Sequence, residues 1–292
     1  MAKQLQFGGE YLLVRTIAES ERLEMQYKAW QANIGYLLHP VIKQHDNMRI
    51  ADVGTGTGLV ATVPVNSKIW LCDLADALPN TCQLEGFDIS DAMFPSKDAL
   101  PGDIVFHHQN LLLPFSDQHL GKYDVVNVRV MVVALSSHEW EPAVRNLMTL
   151  LKPGGYLQWV DCAAHECVIK GVPEGKEAIN AKRAIDLFRK TVTSLGKAPN
   201  IALLRGIFQK SGLVSCEEEI YTLENPETRE NVNTAVVVGI QHILTAAFKM
   251  HRLDEIQSID QIMDLKEAAS QDLRNLSCYY CYDVHVVLGR KI

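Results

Sequence analysis

Three shortages in the sequence exclude whole classes of protein. Basic residues are too few for a nucleic-acid binder that works by charge, because 28 Lys and Arg face 35 Asp and Glu, a net charge of -7. No apolar run approaches the roughly 18 to 20 residues of a membrane span. The N-terminal stretch MAKQLQFGGEY lacks the apolar core of a signal peptide. We therefore expect a cytoplasmic protein that binds neither nucleic acid nor membranes.

Cysteines are too few, and odd in number, for a disulfide framework: there are seven in 292 residues. The C-x-x-C at 278–281 has no second pair, and in an extended strand its two thiols would point to opposite faces. That arrangement is wrong for chelating one zinc ion, so we predict no metal site. The composition, 47% hydrophobic and 22% charged, is typical of a globular protein.

Short β-rich runs alternate with helical stretches from residue 48 onward. They predict strands at 48–53, 83–88, 103–107, 123–130 and 156–161, and two more at 213–223 and 280–289. Strands separated by helices imply parallel βαβ units and an open sheet with helices on both faces. The predicted fold class is therefore α/β, with a Rossmann-like, mostly parallel sheet.

Helical patterns predict how the rest of the chain is organised. An N-terminal helix closes near His39 and shows one apolar face, made of Leu23, Tyr27, Trp30, Ile34 and Leu38. Further helices are expected at 139–151, 177–193 and 231–251, the first opened by a capping box of Ser136 and Glu139. We expect one domain: an N-terminal helical cap at 10–45, a core at 46–165, and a helical cap with the last strands at 166–292.

The strongest motif is a glycine-rich loop where the first strand ends. It reads D-x-G-x-G-x-G, with Asp52, Gly54, Gly56 and Gly58, and Thr55 between the first two glycines. Ligands bind at such strand ends in open α/β sheets, and glycine lets the backbone approach them closely. A dinucleotide motif would place its third glycine one residue later. The leading acid favours a cationic ligand with an amino-acid end and one ribose, whose ammonium and sulfonium it would attract.

Polar residues also follow the second and third predicted strands. Asp88, followed by Ile89, ends the second strand, where a carboxylate can accept both hydroxyls of a ribose. Asn110 follows the third strand, where an amide could bind an adenine edge. Together with the glycine loop these residues predict a nucleoside-binding site along one edge of the sheet.

Residues 50–58, 84–90, 122–135 and 144–159 resemble a class I S-adenosylmethionine-dependent methyltransferase. More narrowly, SERLEMQ, GYLLHP, IADVGTGTG, LEGFDIS and KYDVVNVR resemble the fungal methyltransferases of secondary-metabolite gene clusters. The resemblance implies a seven-stranded sheet, S-adenosylmethionine as cofactor and a small organic acceptor, methylated on oxygen or nitrogen. It covers about residues 10–165 well, and the rest only in the order of strands and helices.

By this resemblance the cofactor's amino-acid part is bound by Asp52 and the glycine loop, its ribose by Asp88 and its adenine by Asn110, a position where many members carry Asp. Ile89 and Arg129 complete the expected cofactor set. His138 and His165 follow the fourth and fifth strands and are the candidate catalytic bases, because histidine titrates near pH 7. The N-terminal part, with Tyr11, Arg22, Gln26 and His39, is expected to fold over the cofactor.

Residues 59–68 (LVATVPVNSK) interrupt the family's pattern, in which the glycine loop runs directly into a helix. Removing these ten residues restores the usual spacing of about 20 between Gly58 and Asp88. Two explanations compete: a tolerated surface loop, because loop length costs little, or translated intron sequence or an alternative splice site. The restored spacing favours a recent insertion, and we predict that this form binds S-adenosylmethionine weakly or not at all.

Two other functions remain open from the sequence alone. Related fungal proteins act as non-catalytic regulators, and a regulator would need a protein partner and could be nuclear. A degenerate enzyme that binds the cofactor without transferring its methyl group is the second. An acceptor pocket under 166–270 would favour the enzyme, and an exposed apolar patch would favour the regulator.

Overall fold

The computed structural model describes residues 17–56, 70–91, 94, 100–198 and 200–292. Residues 57–69, which include Gly58 and the inserted 59–68, lie outside this described part, as does Tyr11. The strands are β1 (Arg49–Val53), β2 (Gln83–Asp88), β3 (Val105–His108), β4 (Tyr123–Arg129), β5 (Leu151–Cys162), β6 (Val168–Lys170), β7 (Val214–Thr222), β8 (Tyr279–Cys281) and β9 (Asp283–Arg290). The helices are α1 (Ile17–Ile34), α2 (Trp70–Ala77), α3 (Trp140–Leu150), α4 (Ile179–Ser194), α5 (Leu204–Ser211), α6 (Arg229–Lys249) and α7 (Ile259–Leu276).

Seven strands form the main sheet in the order β3-β2-β1-β4-β5-β9-β7. The strands β1 to β5 are parallel, while β9 runs antiparallel to both β5 and β7. The predicted Rossmann-like, seven-stranded and mostly parallel sheet is confirmed. Strands β1 and β4 are apolar along most of their length because helices cover both faces of a parallel sheet.

The predicted seventh strand, 280–289, is wrong in one respect, because the structure divides it in two. Tyr279–Cys281 pairs with β6 in a separate two-stranded sheet, whereas Asp283–Arg290 lies between β5 and β7. A continuous apolar run carries no sign of the point at which it changes partners. Strand β5 also begins earlier than predicted, at Leu151, because that residue already pairs with Tyr123 of β4.

Helices α1, α4, α6 and α7 pack together beside the carboxyl ends of β4 and β5 and share one hydrophobic core. Among the described residues one segment, Pro226–Lys249, is long and apolar enough to cross a membrane by length and composition alone. Its helix α6 packs against α1, α4 and α7 and buries apolar side chains along its length, which is the packing of a core helix.

The N-terminal helix buries a face that only partly overlaps the one that its apolar residues predict. Arg22 and Gln26 are buried, and so is Trp30, whereas Leu23 and Tyr27 are only partly covered. The helix also ends earlier than expected, at Ile34. Polar side chains can face inward here because they bind one another and a histidine of α6, as described below.

Candidate functional site

Two carboxylates lie at the ends of neighbouring parallel strands. In the register of β1 and β2, Asp52 lies opposite Gly86, and Asp88 is two residues further along β2. Because side chains alternate along a strand, Asp52 and Asp88 project from the same face of the sheet, as the sequence predicted.

Asp52 is fully buried and is held by one oxygen. Its Oδ1 accepts a hydrogen bond of 2.8 Å from Nδ2 of Asn127, whose Oδ1 in turn accepts one of 2.9 Å from Nε2 of Gln158. The other carboxylate oxygen, Oδ2, has no hydrogen-bond partner in the described part of the chain and lies 3.8 Å from the guanidinium of Arg129. An unmet buried oxygen on a carboxylate suits a cationic ligand, because such an oxygen is costly to leave without a donor.

The glycine loop turns from β1 toward the end of β2. The amides of Gly54 and Thr55 both donate to the carbonyl of Phe87, at 2.7 and 3.1 Å, and the amide of Gly56 donates to Oδ2 of Asp88 at 2.9 Å. Gly54 and Gly56 have φ angles of 73° and 72°, in the left-handed region that favours glycine. The hydroxyl oxygen of Thr55 is buried and has no partner among the described residues.

The remaining predicted cofactor residues lie along the same edge. Oδ1 of Asp88 accepts from the amide of Ser90 at 3.0 Å, and Ile89 between them is exposed. Asn110 follows β3 and is half-buried; its Oδ1 accepts from the amide of Leu112 at 2.9 Å. That bond fixes the orientation of the amide and directs its two N–H groups away from the loop.

Arg129 ends β4 and lies between two aromatic rings. Its guanidinium carbon is 5.1 Å from the ring centre of Tyr27 and 5.7 Å from that of Trp70, and both contacts are cation–π interactions. Burial, and a hydrogen bond donated to Asp73, raise the pKa of Tyr27. The structure thus brings Arg129 close to Asp52 and secures it beneath α1 and α2.

The loop 130–133 after β4 joins two parts of the site. Its first residue, Val130, has a φ of 58°, which is strained for a β-branched side chain, and its amide donates to the carbonyl of Val160 at 3.1 Å. The side chain of Met131 packs onto the glycine loop so closely that a Cβ on Gly54 would lie 1.9 Å from it. One short loop therefore contacts the glycine loop directly.

A buried carboxylate holds this loop in place. Asp161 on β5 accepts hydrogen bonds from the amides of Met131 and Val132, at 2.7 and 3.3 Å, and from the indole of Trp159 at 3.1 Å. Burial raises the pKa of Asp161 to about 6, against the effect of these bonds. Asp161, Asn127 and Gln158 were not predicted as site residues, although each is a polar residue within an apolar strand.

An apolar cavity lies between α1, α4, α6 and the ends of β4 and β5. The residues Val130, Val132 and Val133 form one wall, and the polar side chains of Arg22 and Gln26 lie on another. We call this space the apolar cavity; it lies under the helical excursions where the sequence predicted an acceptor pocket.

Neither candidate base lines the apolar cavity. His138 is exposed in the turn before α3, where Ser136 and Glu139 form the predicted capping box. His165 lies in the turn after β5, with its Nε2 3.6 Å from Glu166. The described residues that do line the cavity include no histidine and no carboxylate. A catalytic role for either histidine stays a prediction that this geometry does not support.

One group in the described part of the chain has the composition of a metal site: Glu85, His107 and His119, whose donor atoms lie within 4.8 Å of one another. Hydrogen bonds account for it, because Glu85 accepts from Arg49 at 2.7 Å and from the Tyr123 hydroxyl at 2.9 Å. The motif at 278–281 contributes two buried free thiols, and all seven cysteines are free.

Known proteins share both the sequence and the fold. Methyltransferase grgD from a Penicillium species is 30% identical over 307 residues, which span 100% of this chain and 100% of that protein. N-methyltransferase tcpN from Claviceps purpurea is 30% identical over 210 residues, 70% of this chain and 69% of its own length. Phosphoethanolamine N-methyltransferase 2 of Haemonchus contortus, solved with S-adenosyl-L-methionine, has a TM-score of 0.51 at 14% identity; the match covers 94% of this chain and 57% of that one. No protein-family model matches the chain.

The sheet and the loop at its edge are those of a class I S-adenosylmethionine-dependent methyltransferase. The chain belongs to the family of fungal methyltransferases that includes grgD and tcpN, and the resemblance inferred from its motifs is confirmed. It is an enzyme of methyl transfer with S-adenosylmethionine as its cofactor.

Proposed function

We propose that this chain methylates a nitrogen atom of a small, largely apolar molecule bound in the apolar cavity. The position of the loop 130–133 is the main observation that supports the proposal. Met131 packs against Gly54, where the cofactor's amino-acid part is expected, and Val130, Val132 and Val133 line the cavity. A cofactor at the glycine loop and an acceptor in the apolar cavity would therefore both lie next to this loop, at the end of β4.

The residues present fit the cofactor. Asp52 offers a buried carboxylate oxygen, and Thr55 a buried hydroxyl, neither with a hydrogen-bond partner among the described residues. Asp52 would hold the ammonium, Asp88 the ribose and Asn110 the adenine edge. An added Cβ at Gly56 would meet no atom of the described chain within 4 Å, so the loop leaves space for a ligand there.

Bound S-adenosylmethionine would supply a methyl group on a sulfonium: a lone pair of a neutral amine nitrogen on the acceptor would form the new bond as the carbon–sulfur bond breaks, and the proton released from the methylated nitrogen would pass to bulk solvent. The protein's own part is positioning, since methyl transfer gains most from in-line alignment. The apolar cavity would orient the acceptor, and a neutral amine requires no base from the residues that line it.

The choice of nitrogen is supported by the printed names of relatives: tcpN of Claviceps purpurea, verN of Clonostachys rogersoniana and sirN of Leptosphaeria maculans are all named N-methyltransferases. The comparisons do not favour the non-catalytic regulator. Seven free cysteines support a reducing compartment, and we propose the cytoplasm.

The test uses the full chain and two measurements. Calorimetry with S-adenosylhomocysteine measures the cofactor site, with Asp52→Asn as the variant and the exposed Asp103→Asn as its matched control. Mass spectrometry then follows methyl transfer to 4-ethylaniline and N-methylaniline, which are neutral amines, and to 4-ethylphenol as the oxygen counterpart. We expect binding that Asp52→Asn abolishes, and a methyl gain only on the nitrogen probes. Methylation of the phenol alone would overturn the choice of nitrogen, and a chain that binds no cofactor even without residues 59–68 would overturn the whole proposal.

A further inference from the structure

The inference below rests on the proposed function and concerns what the apolar cavity recognises. We propose that Gln26 and Tyr282 are a pair of fixed hydrogen-bond donors, which bind carbonyl oxygens on the acceptor molecule. The acceptor would then be an uncharged, largely apolar molecule with at least one carbonyl.

Gln26 lines the apolar cavity from α1 and is 6% exposed. Its Oε1 accepts a hydrogen bond of 2.6 Å from Nη1 of Arg22. Because a guanidinium can only donate, this contact fixes which end of the amide faces Arg22. The Nε2 group of Gln26 is therefore turned away from Arg22, and the described residues provide no acceptor for it.

Arg22 cannot turn away to release the amide. Its Nε and Nη2 donate to both oxygens of Glu19, at 2.8 and 2.7 Å, and Nδ1 of His242 on α6 lies 2.7 Å from the same carboxylate. Burial alone would raise the pKa of Glu19, but the hydrogen bonds from His242 and Arg22 outweigh it and hold the pKa below its ordinary value. This buried network ties α1 to α6 and orients Gln26 toward the cavity.

Tyr282 presents the second donor for the same reason. Its hydroxyl oxygen accepts from the indole nitrogen of Trp30 at 3.1 Å, and an indole N–H can only donate. The phenolic proton must therefore point elsewhere, and no oxygen or nitrogen among the described residues accepts it. Burial raises the pKa of Tyr282, so the hydroxyl keeps its proton at neutral pH.

The rest of the cavity wall explains why a carbonyl fits better than a charge. Apart from Gln26, Tyr282, two cysteine thiols and Arg22, whose guanidinium is already paired, the described lining is apolar, with Ile185, Phe188, Ile240 and Ile243. An ion placed there would lose its hydration without gaining an opposite charge. A carbonyl oxygen would instead accept hydrogen bonds from Gln26 and Tyr282, which have no other acceptor among the described residues.

The experiment compares two probes that differ by one group: 1-indanone has a carbonyl where indane has a methylene. Neither carries a nitrogen to be methylated, so the result does not depend on turnover. Ligand-observed NMR titrations on the full chain, with S-adenosylhomocysteine present, should show 1-indanone binding at least about tenfold more tightly than indane. The variants are Gln26→Glu, which keeps an oxygen for Arg22 and removes the donor, and Tyr282→Phe, which removes only the hydroxyl.

We expect the preference to fall to less than about threefold when the two variants are combined. Gln209→Glu on the exposed face of α5 and Tyr279→Phe on β8 repeat the same chemical changes outside the cavity and should leave it unchanged. Circular dichroism checks that each variant is folded, and the wild-type comparison needs no variant. Equal affinity for the two probes in the wild type, no binding of either, or an unaltered preference in the folded double variant would each overturn the inference. Loss of methyl transfer alone would instead count against the proposed function.

Discussion

Nδ2 of Asn127 lies 2.8 Å from Oδ1 of Asp52 and fixes that carboxylate across two neighbouring strands. The oxygen that Asn127 holds cannot serve a ligand. The other oxygen has no hydrogen-bond partner in the described part of the chain and lies where the glycine loop begins. The sheet therefore positions one carboxylate oxygen for the cofactor's ammonium instead of offering a freely rotating side chain.

The first prediction concerns Asp88, which we expect to hold the cofactor's ribose. Asp88→Ala should weaken binding of S-adenosylmethionine by about 1–3 kcal/mol, because the polar groups that it bonds are left unmet. Asp88→Asn should lose less, since one amide oxygen can still accept from Gly56 or Ser90. Calorimetry measures both, with Asp103→Ala on an exposed loop as the control. Affinity unchanged in Asp88→Ala, given measurable wild-type binding, would remove Asp88 from the site.

The second prediction separates two costs at the glycine loop. Gly54 and Gly56 have nearly the same positive φ, but only a Cβ at Gly54 would contact Met131. Gly56→Ala should lower the free energy of unfolding by about 1–2 kcal/mol through backbone strain. Gly54→Ala should cost about 1 kcal/mol more, because Met131 must move.

Urea unfolding measures both alanine variants, and Met131→Ala provides the matched background. In that background the difference between Gly54→Ala and Gly56→Ala should disappear. If the difference persists there, the contact with Met131 is not its cause.

The third prediction is a pH dependence of stability that arises from Asp161. Its pKa is raised in the folded protein to about 6, from an ordinary value of 3.8, so folding favours the protonated form. Protonated Asp161 therefore contributes its full share to the free energy of unfolding below about pH 4, and this share is lost as the pH rises through 6. From the linkage relation the contribution is about 3 kcal/mol.

Asp161→Asn should remove that pH dependence, because an amide does not titrate in this range. Urea unfolding at several values between pH 4 and 7 measures it, and the exposed Asp103→Asn should retain the wild-type slope. An identical slope in Asp161→Asn would show that another group titrates.

The fourth prediction comes from the sequence, because residues 59–68 lie outside the described part of the chain. A chain without these ten residues should bind S-adenosylmethionine at least about tenfold more tightly than the 292-residue chain, which corresponds to about 1.4 kcal/mol. Calorimetry of the two forms decides this. Equal or tighter binding by the longer form would show that the segment is harmless or belongs to the pocket.

Strand β2 and helix α1 show which features of the fold could be predicted from the sequence and which could not. Strand β2 was predicted with its observed bounds, because an apolar run between turn residues and a final acid is a local pattern. The buried face of α1 was predicted only in part, because Trp30 is buried as expected but Arg22 and Gln26 are buried beside it. Glu19 is stabilised inside by His242, which lies 223 residues away along the chain, and no local periodicity records such a partner.

The candidate site divides in the same way. Asp52, Asp88 and the glycines could be predicted because a motif and the ends of strands mark them in the sequence. The structure brings Asp52 and Asp88 to one face of the sheet. Asp161, by contrast, acts on the backbone of a loop about 30 residues earlier in the chain. Asp161 binds main-chain amides, and the sequence does not mark which amides those are. Only the fold shows that they belong to this loop.

The amides behind Asp52 have a fixed polarity. Gln158 accepts from the backbone N–H of His39 and donates to the carbonyl of Leu37, which allows only one orientation of its side chain. That orientation makes Gln158 a donor to Asn127, and Asn127 in turn a donor to Asp52. Two backbone groups in the segment before β1 thus determine the direction of every hydrogen bond in the row, and the Asp52 carboxylate takes its orientation from a stretch of chain that need not touch the cofactor.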